Sequence, residues 1–438
     1  MKQLFFVNQP MAASYTLNLS IDFGGSGSKV IYQFGGGKLQ YMMLPPGLEE
    51  VSKEDFKRYK DLQLWRGDPK PEDDAWLEWK GSIYVVGNFA LEFAAQDRIR
   101  EKKYENALYK ALAIVGIILE KHQVGGKKRK AESPKIILHL AMLLPWNEYN
   151  DHQRFREQFS LMLKNFKFRG VAWDIALCTF LCQPEGAGLL AIRIKQKGKP
   201  WFTENSVALL MLGHRNCTLL YFEKGIRKIS DSPLLGFSTF LDDVCSRVSG
   251  IERDKLAAAI FEGLYQSRYK IYKEKQTIHP EWKALEVIKA LATARDPELR
   301  AREVKDIASA IDNVIPNYWL TLRKWLDSKM PKFPSEVIVG GGTAVFLEPE
   351  LEEYFNCEIY DDKRDVEKRP QRYTYRDSMV KHADLVWLGD IQTQIEGTFR
   401  FGFDERFNQL LSFRLLDAFG MMDQLKDTVK EAVQNAQS

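Results

Sequence analysis

The sequence predicts an α/β protein built from two similar halves, on three observations. Residues 16–32 read as a strand, a turn rich in glycine and serine, and a second strand. Residues 206–222 repeat that pattern around Gly213, His214, Arg215 and Asn216. Residues 336–346 read as a short buried strand that ends in Gly340, Gly341 and Gly342 and enters a helix. Ligands sit at such strand ends in α/β sheets. Two strand–polar turn–strand units in one chain suggest two similar lobes with phosphates between them. The 438 residues are enough for two or three domains or one large two-lobed body.

The first unit sets the chemistry. Leu17, Leu19 and Ile21 alternate with polar residues, the period of a half-buried strand. Val30, Ile31 and Tyr32 restart the sheet after the turn. Between them lie Asp22, Gly24, Gly25, Ser26, Gly27, Ser28 and Lys29. Glycine leaves backbone N–H groups open to an anion, with no side chain in the way. Lys29 adds a point charge, and Ser26 and Ser28 add hydroxyl donors. Asp22 would face the same anion, which is repulsive unless a cation sits between them; magnesium is the usual one, held by one or two carboxylates through water. This is not a Walker A loop, because the lysine follows Ser28 and the chain continues as strand. On the turn alone, an ordinary glycine-rich hairpin and a phosphate site both stay open.

Composition narrows the class. Hydrophobic residues make up 45% and charged residues 28%, as in soluble globular proteins. The net charge of +4, from 63 basic and 59 acidic residues, is too balanced for a surface that binds nucleic acid or membrane as a whole. Five cysteines, an odd number without tight spacing, fit a reducing cytosol better than a disulfide framework. No apolar run approaches the roughly 18 residues of a spanning helix. Residues 1–14 are expected to be a loosely held extension, since Asn8, Gln9 and Pro10 break the apolar patch too early for a signal peptide.

Further along, Gly35–Gly37 predicts a turn, residues 39–44 a strand, 49–74 a polar stretch, and 76–87 a hairpin around Lys80 and Gly81. Trp76 and Trp79 read as packing residues. Tyr104, Leu108, Ala111, Leu112, Val115, Ile118 and Leu119 recur at helical spacing. The basic run 125–130 reads as a solvated turn. Residues 135–144 form a near-continuous apolar strand, the mark of burial on both faces. Residues 149–166 predict a helix and 171–181 a strand region. Cys178 and Cys182 lack the matching Cys/His pair that zinc needs.

Next comes Gln183, Pro184, Glu185, Gly186, Ala187 and Gly188, a polar elbow leading into a helix. Glu185 reads as the only carboxylate in the neighbourhood. It is either a first-turn residue favoured by the helix dipole or the group that orients an attacking water. Residues 235–248 and most of 254–330 read as helical. The glycine run 340–342 fails as a Rossmann fingerprint, because Val345 stands where the third glycine belongs. Residues 384–390 give another strand-to-helix passage, and 403–436 a closing helix.

Taken in order, these pieces resemble the actin-like ATPases, closest to the ParM/StbA-type plasmid-segregation actins. Asp22 to Lys29 looks like the first phosphate loop of that family, Gln183 to Gly188 like the connecting segment with the catalytic glutamate, and Met211 to Asn216 like the second phosphate loop. Val337 to Thr343 looks like the adenosine motif, and His382 to Gly389 weakly like the second connecting segment. The resemblance covers about residues 15–400. It implies an α/β, actin-like (RNase H-like) two-lobed fold with the nucleotide in the interdomain cleft. Domain I would span 15–184, with a subdomain IB at about 33–100, domain II 185–384, and a C-terminal helical segment 385–438 returning to domain I.

The resemblance further implies ATP with Mg2+, hydrolysis to ADP and phosphate, polymerisation into cytoplasmic filaments, and a DNA-binding adaptor for plasmid or DNA segregation, with no direct contact to nucleic acid or membrane. Asp22 would organise the metal through water and, with Glu185, serve catalysis. Gly24, Gly25, Ser26, Gly27 and Lys29 would hold phosphates, as would Gly213, His214, Arg215 and Asn216. Gly340, Gly341, Gly342 and Thr343 would carry the nucleoside. One residue departs from the pattern: Met211 stands where the family has aspartate, and a thioether cannot bind the water shell of a hard cation. Asn216 or His214 could compensate in part by hydrogen bonding. A structural filament with weak or no hydrolysis is therefore the alternative, alongside a small-molecule kinase of the same superfamily.

Overall fold

From Leu17 to Phe23 every second residue of the first strand is buried, and the sheet grows from it. The computed structural model describes residues 14–62, 67, 69–93, 103–124, 135–274, 279–330, 334–355, 383–402 and 405–437. The expected extension, most of it, the basic run 125–130 and His382 lie outside the described residues. Among the described residues the chain divides into two compact units. Unit 1 takes those up to Leu144, Glu148–Gln183 and those from Met421 on; unit 2 takes Pro145–Asn147 and Pro184–Gly420.

Unit 1 contains β1 (Ser14–Gly24), β2 (Gly27–Phe34), β3 (Gln40–Leu44), β4 (Leu48–Val51), β5 (Trp76–Trp79), β6 (Ser82–Val86), β7 (Lys135–Leu144), β8 (Phe166–Phe168), β9 (Val171–Trp173) and β10 (Ile175–Pro184). Its helices are α1 (Lys53–Leu62), α2 (Asn88–Leu91), α3 (Lys103–Lys121) and α4 (His152–Leu163). The main sheet runs β10-β7-β1-β2-β3, with β1 antiparallel to β2 and parallel to β7. Leu17, Leu19, Ile21 and Phe23 of β1 enter one core with Val30, Tyr32, Leu138, Leu140 and the apolar face of α3. Each such side chain is worth about 1.5–3 kcal/mol when fully buried.

The remaining strands form a second sheet, β4-β6-β5-β8-β9. Its hairpin turns at Lys80 and Gly81, both at positive φ (48° and 89°), as a two-residue turn between twisted strands requires. Trp76 packs on Phe56 at 4.7 Å between ring centroids. The polar stretch 49–74 hid β4 and α1, whose single buried anchor, Phe56, is too sparse to set a visible period. The expected helix 149–166 is shorter, starting at His152 after a 3-10 turn and stopping at Leu163 so that Phe166 and Phe168 can pair with β5 and β9.

Unit 2 contains β11 (Ser206–Leu212), β12 (Cys217–Glu223), β13 (Ile226–Asp231), β14 (Glu336–Gly340) and β15 (Asp384–Val386). They lie in the order β13-β12-β11-β14-β15, with β11 antiparallel to β12 and parallel to β14. Its helices are α5 (Ala187–Lys197), α6 (Lys199–Glu204), α7 (Phe237–Arg247), α8 (Arg253–Glu274), α9 (Glu286–Lys289), α10 (Pro297–Lys329), α11 (Gly342–Phe346), α12 (Glu348–Phe355) and α13 (Gly389–Phe399). Helix α14 (Glu405–Gln437) is divided between the units at Gly420 and Met421. Ala208, Leu210 and Leu212 face the core with α7 and α10, while Leu209 and Met211 face the α5 side. In both units the main sheet reads, from edge to edge, third, second, first, fourth and fifth strand of that sheet, with the first three antiparallel.

Candidate functional site

In unit 1 the register sets the turn. Gly24 pairs with Gly27, leaving a two-residue turn of Gly25 and Ser26, and Asp22 pairs with Lys29 two positions further in. Strand alternation puts Asp22 and Lys29 on one face and Ser28 on the other, with Val30. Lys29 Nζ donates to Asp22 Oδ2 at 2.9 Å, with side chains 13% and 6% exposed. A Cβ on Gly24 would lie 2.9 Å from the backbone oxygen of Gly27, which cannot step aside, and would also displace the movable end of Lys29. The structure thus gathers Asp22, Gly24, Gly25, Ser26, Gly27 and Lys29 around one turn. Ser28, read as a further hydroxyl donor, is buried on the core side, and its Oγ has no partner among the described residues.

Unit 2 carries the same hairpin. Leu212 pairs with Cys217, and Gly213 N donates to Asn216 O at 2.9 Å, so the turn residues are His214 and Arg215. Met211 faces Thr218, the places held by Asp22 and Lys29 in unit 1. The turn is docked on the start of α7: Gly236 N donates to Arg215 O, Phe237 N to Gly213 O, and Ser238 N to His214 O. Asn216 is buried and its side-chain amide donates to Ser232 O at 3.2 Å. Its side chain therefore fixes the turn.

The glycine run after β14 packs against this hairpin. Thr343 Oγ1 donates to Gly213 O at 2.8 Å and is buried. Gly341, at φ 89°, lies so close to Leu212 O that no Cβ fits, and a Cβ on Gly340 would meet Leu189 and Met211. Only Gly342 has ordinary space, with Phe261 nearest at 3.7 Å. Two of the three glycines thus answer to the chain's own backbone and side chains.

Glu185 precedes Gly186, which sits at φ 92° against Leu209 and Met211. Burial first, and the Glu185 charge second, push the Cys217 thiol well above its usual value; it is the packing of Gly186 on Leu209 and Met211 that sets this elbow beside β11. The structure therefore brings Glu185, Met211, Gly213 to Asn216 and Gly340 to Thr343 together within unit 2. One expectation is corrected. Glu185 is not alone: Asp417 of α14, buried, accepts from Gly186 N at 2.6 Å and Gly188 N at 2.8 Å. Sequence reasoning missed it, because Asp417 lies 231 residues beyond Gly186 in a stretch that reads simply as a closing helix.

Two sheets of one topology, each turning at a polar hairpin beside its central strand, define the class: an α/β fold of the actin-like (RNase H-like) kind. No family model and no curated protein matches the sequence. Among solved structures the chain is similar to Bacillus thuringiensis ParM with AMPPNP, at 14% identity over 93% of this chain and 99% of that one, with a TM-score of 0.48. It is also similar to a 15-stranded ParM filament from Clostridium botulinum, at 13% identity over 95% and 99% with a TM-score of 0.45. An archaeal actin homologue gives 15% identity over 94% and 99%, with a TM-score of 0.45.

Proposed function

We propose that the chain is an actin-like protein that binds ATP with magnesium, hydrolyses it and assembles into cytoplasmic filaments, serving plasmid or DNA segregation through a DNA-binding adaptor. One observation carries the reading. The hairpin of unit 2 closes with Met211 opposite Thr218, so such a hairpin needs no ion pair to form. Replacing a buried pair by packed neutral residues is often neutral or stabilising. Asp22 and Lys29 are nonetheless kept 2.9 Å apart behind a glycine turn. A carboxylate and an ammonium beside open backbone suit a phosphate and its cation.

On this reading Gly24, Gly25, Ser26 and Gly27 present the turn to phosphate, and Lys29 neutralises its charge. A single carboxylate is enough for magnesium, which keeps most of its waters and takes the rest of its ligands from phosphate. Asp22 would hold it, and the ion would supply charge neutralisation at the phosphates. Gly213, His214, Arg215 and Asn216 act through the turn backbone, since the Asn216 side chain is engaged with Ser232. Gly342 is the glycine of its run with room for a nucleoside, and Gly340, Gly341 and Thr343 hold that segment in place. Glu185 orients the attacking water. Titration calorimetry with ATP and magnesium tests the reading. Saturable binding is expected, and no heat at any accessible concentration sinks it.

Met211 favours a second reading, a nucleotide-binding structural filament with weak hydrolysis. Its thioether occupies the place where Asp22 stands in the other hairpin. Met211→Asp is expected to raise phosphate release several-fold while lowering thermal stability, because a carboxylate replaces a buried apolar side chain. An unchanged rate means that this position does not limit turnover.

A further inference from the structure

The geometry points to Asp417 as the positioning residue for Glu185, an inference that rests on the role given to Glu185 above. The elbow that carries Glu185 cannot cap its own helix. Gly186 sits at φ 92°, where L side chains rarely go, and Leu209 and Met211 fill the space that a side chain would need. A Ser, Thr, Asp or Asn at that place is the usual way to bind the first amides of a helix. Here those amides go to α14. The two oxygens of Asp417 take one amide each, Gly186 N at 2.6 Å and Gly188 N at 2.8 Å. Asp417 is 3% exposed, so its charge is held by these donors, away from bulk water.

The two segments also touch through bare backbone. A Cβ on Gly188 would collide with Asp417 O, and a Cβ on Gly420 with Gly188 O. Glycine at both places brings α14 against the first turn of α5. Asp417 therefore holds the peptide immediately after Glu185 through Gly186 N, and the peptide two residues further on through Gly188 N. A carboxylate that orients a water needs such fixing, since a displacement of about 1 Å can cost on the order of 10²-fold in rate. Asp417 touches no reacting atom; it acts through the elbow.

Asp417→Asn tests this in the full-length chain. It keeps the shape of the side chain but turns an N–H group toward one of the two amides. Single-turnover phosphate release is expected to slow by about tenfold or more, with ATP affinity by calorimetry unchanged. Glu185→Gln is measured beside it, with the double variant. If Asp417 works through Glu185, the double variant is no slower than Glu185→Gln alone, whereas a general loss of stability would slow it further. Asp417→Asn at the wild-type rate beside a slow Glu185→Gln overturns the role of Asp417 alone, and so does additivity in the double variant. A Glu185→Gln chain at the wild-type rate, or a wild-type chain that binds ATP but releases no phosphate, overturns the role of Glu185 and this one with it.

Discussion

At positions 22 and 211 the two hairpins carry opposite chemistry on the same register, and the molecule supplies its own control. Breaking the unit 1 pair by Asp22→Asn leaves Lys29, only 13% exposed, without its charge partner. A loss of about 3–5 kcal/mol is expected, which thermal or denaturant unfolding would record. Converting both residues to the pair found in unit 2, Asp22→Met with Lys29→Thr, removes the charges together. That double variant is expected to unfold close to the wild-type temperature while losing ATP binding by calorimetry. If it binds ATP as well as wild type does, the pair serves the hairpin and the phosphate reading fails. This contrast was legible in the sequence, because each hairpin is a local unit of under twenty residues whose register follows from its turn. The clamp by Asp417 was not, since nothing near Gly186 reports a partner 231 residues away.

Among the elements, the glycine run between β14 and α11 separates packing from binding. Gly341 lies at φ 89° and ψ 149°, a region open essentially to glycine, with Leu212 O where a Cβ would go. Gly341→Ala is expected to cost more than about 1–3 kcal/mol, read as a fall in melting temperature. Gly342 is the first residue of α11 and has ordinary space around it. Gly342→Ala is expected to keep or slightly raise the melting temperature, since alanine suits a helix better than glycine by up to about 1 kcal/mol. It is also expected to weaken ATP binding; unchanged affinity would remove this glycine from the site. Three glycines in a row look alike in sequence, because sequence does not say which backbone comes close to which. β1, with its clear alternation, and β11, a continuous apolar run, were readable from their own residues. The strands β4, β8 and β9, at three or four residues each, carry too few side chains for a period and are defined by their partners.

At the scale of the molecule, the two similar halves were predictable because the central hairpin of each is written as apolar strands around a polar turn. The second sheet of unit 1 was not, because it joins strands from 48–86 with strands from 166–173, across β7 and three α-helices. No helix among the described residues is long and apolar enough to cross a membrane. The test of assembly belongs here, since it concerns whole chains. Centrifugation with ATP and magnesium is expected to pellet the protein above a critical concentration, and electron microscopy of the pellet to show filaments. The Asp22→Met, Lys29→Thr chain, folded but unable to bind ATP, is expected to stay in the supernatant under the same conditions. Polymer formed equally by that chain would mean that assembly does not depend on the nucleotide. An absence of polymer from a wild-type chain that binds ATP would separate nucleotide binding, which the first hairpin supports, from filament formation, and only the former would stand.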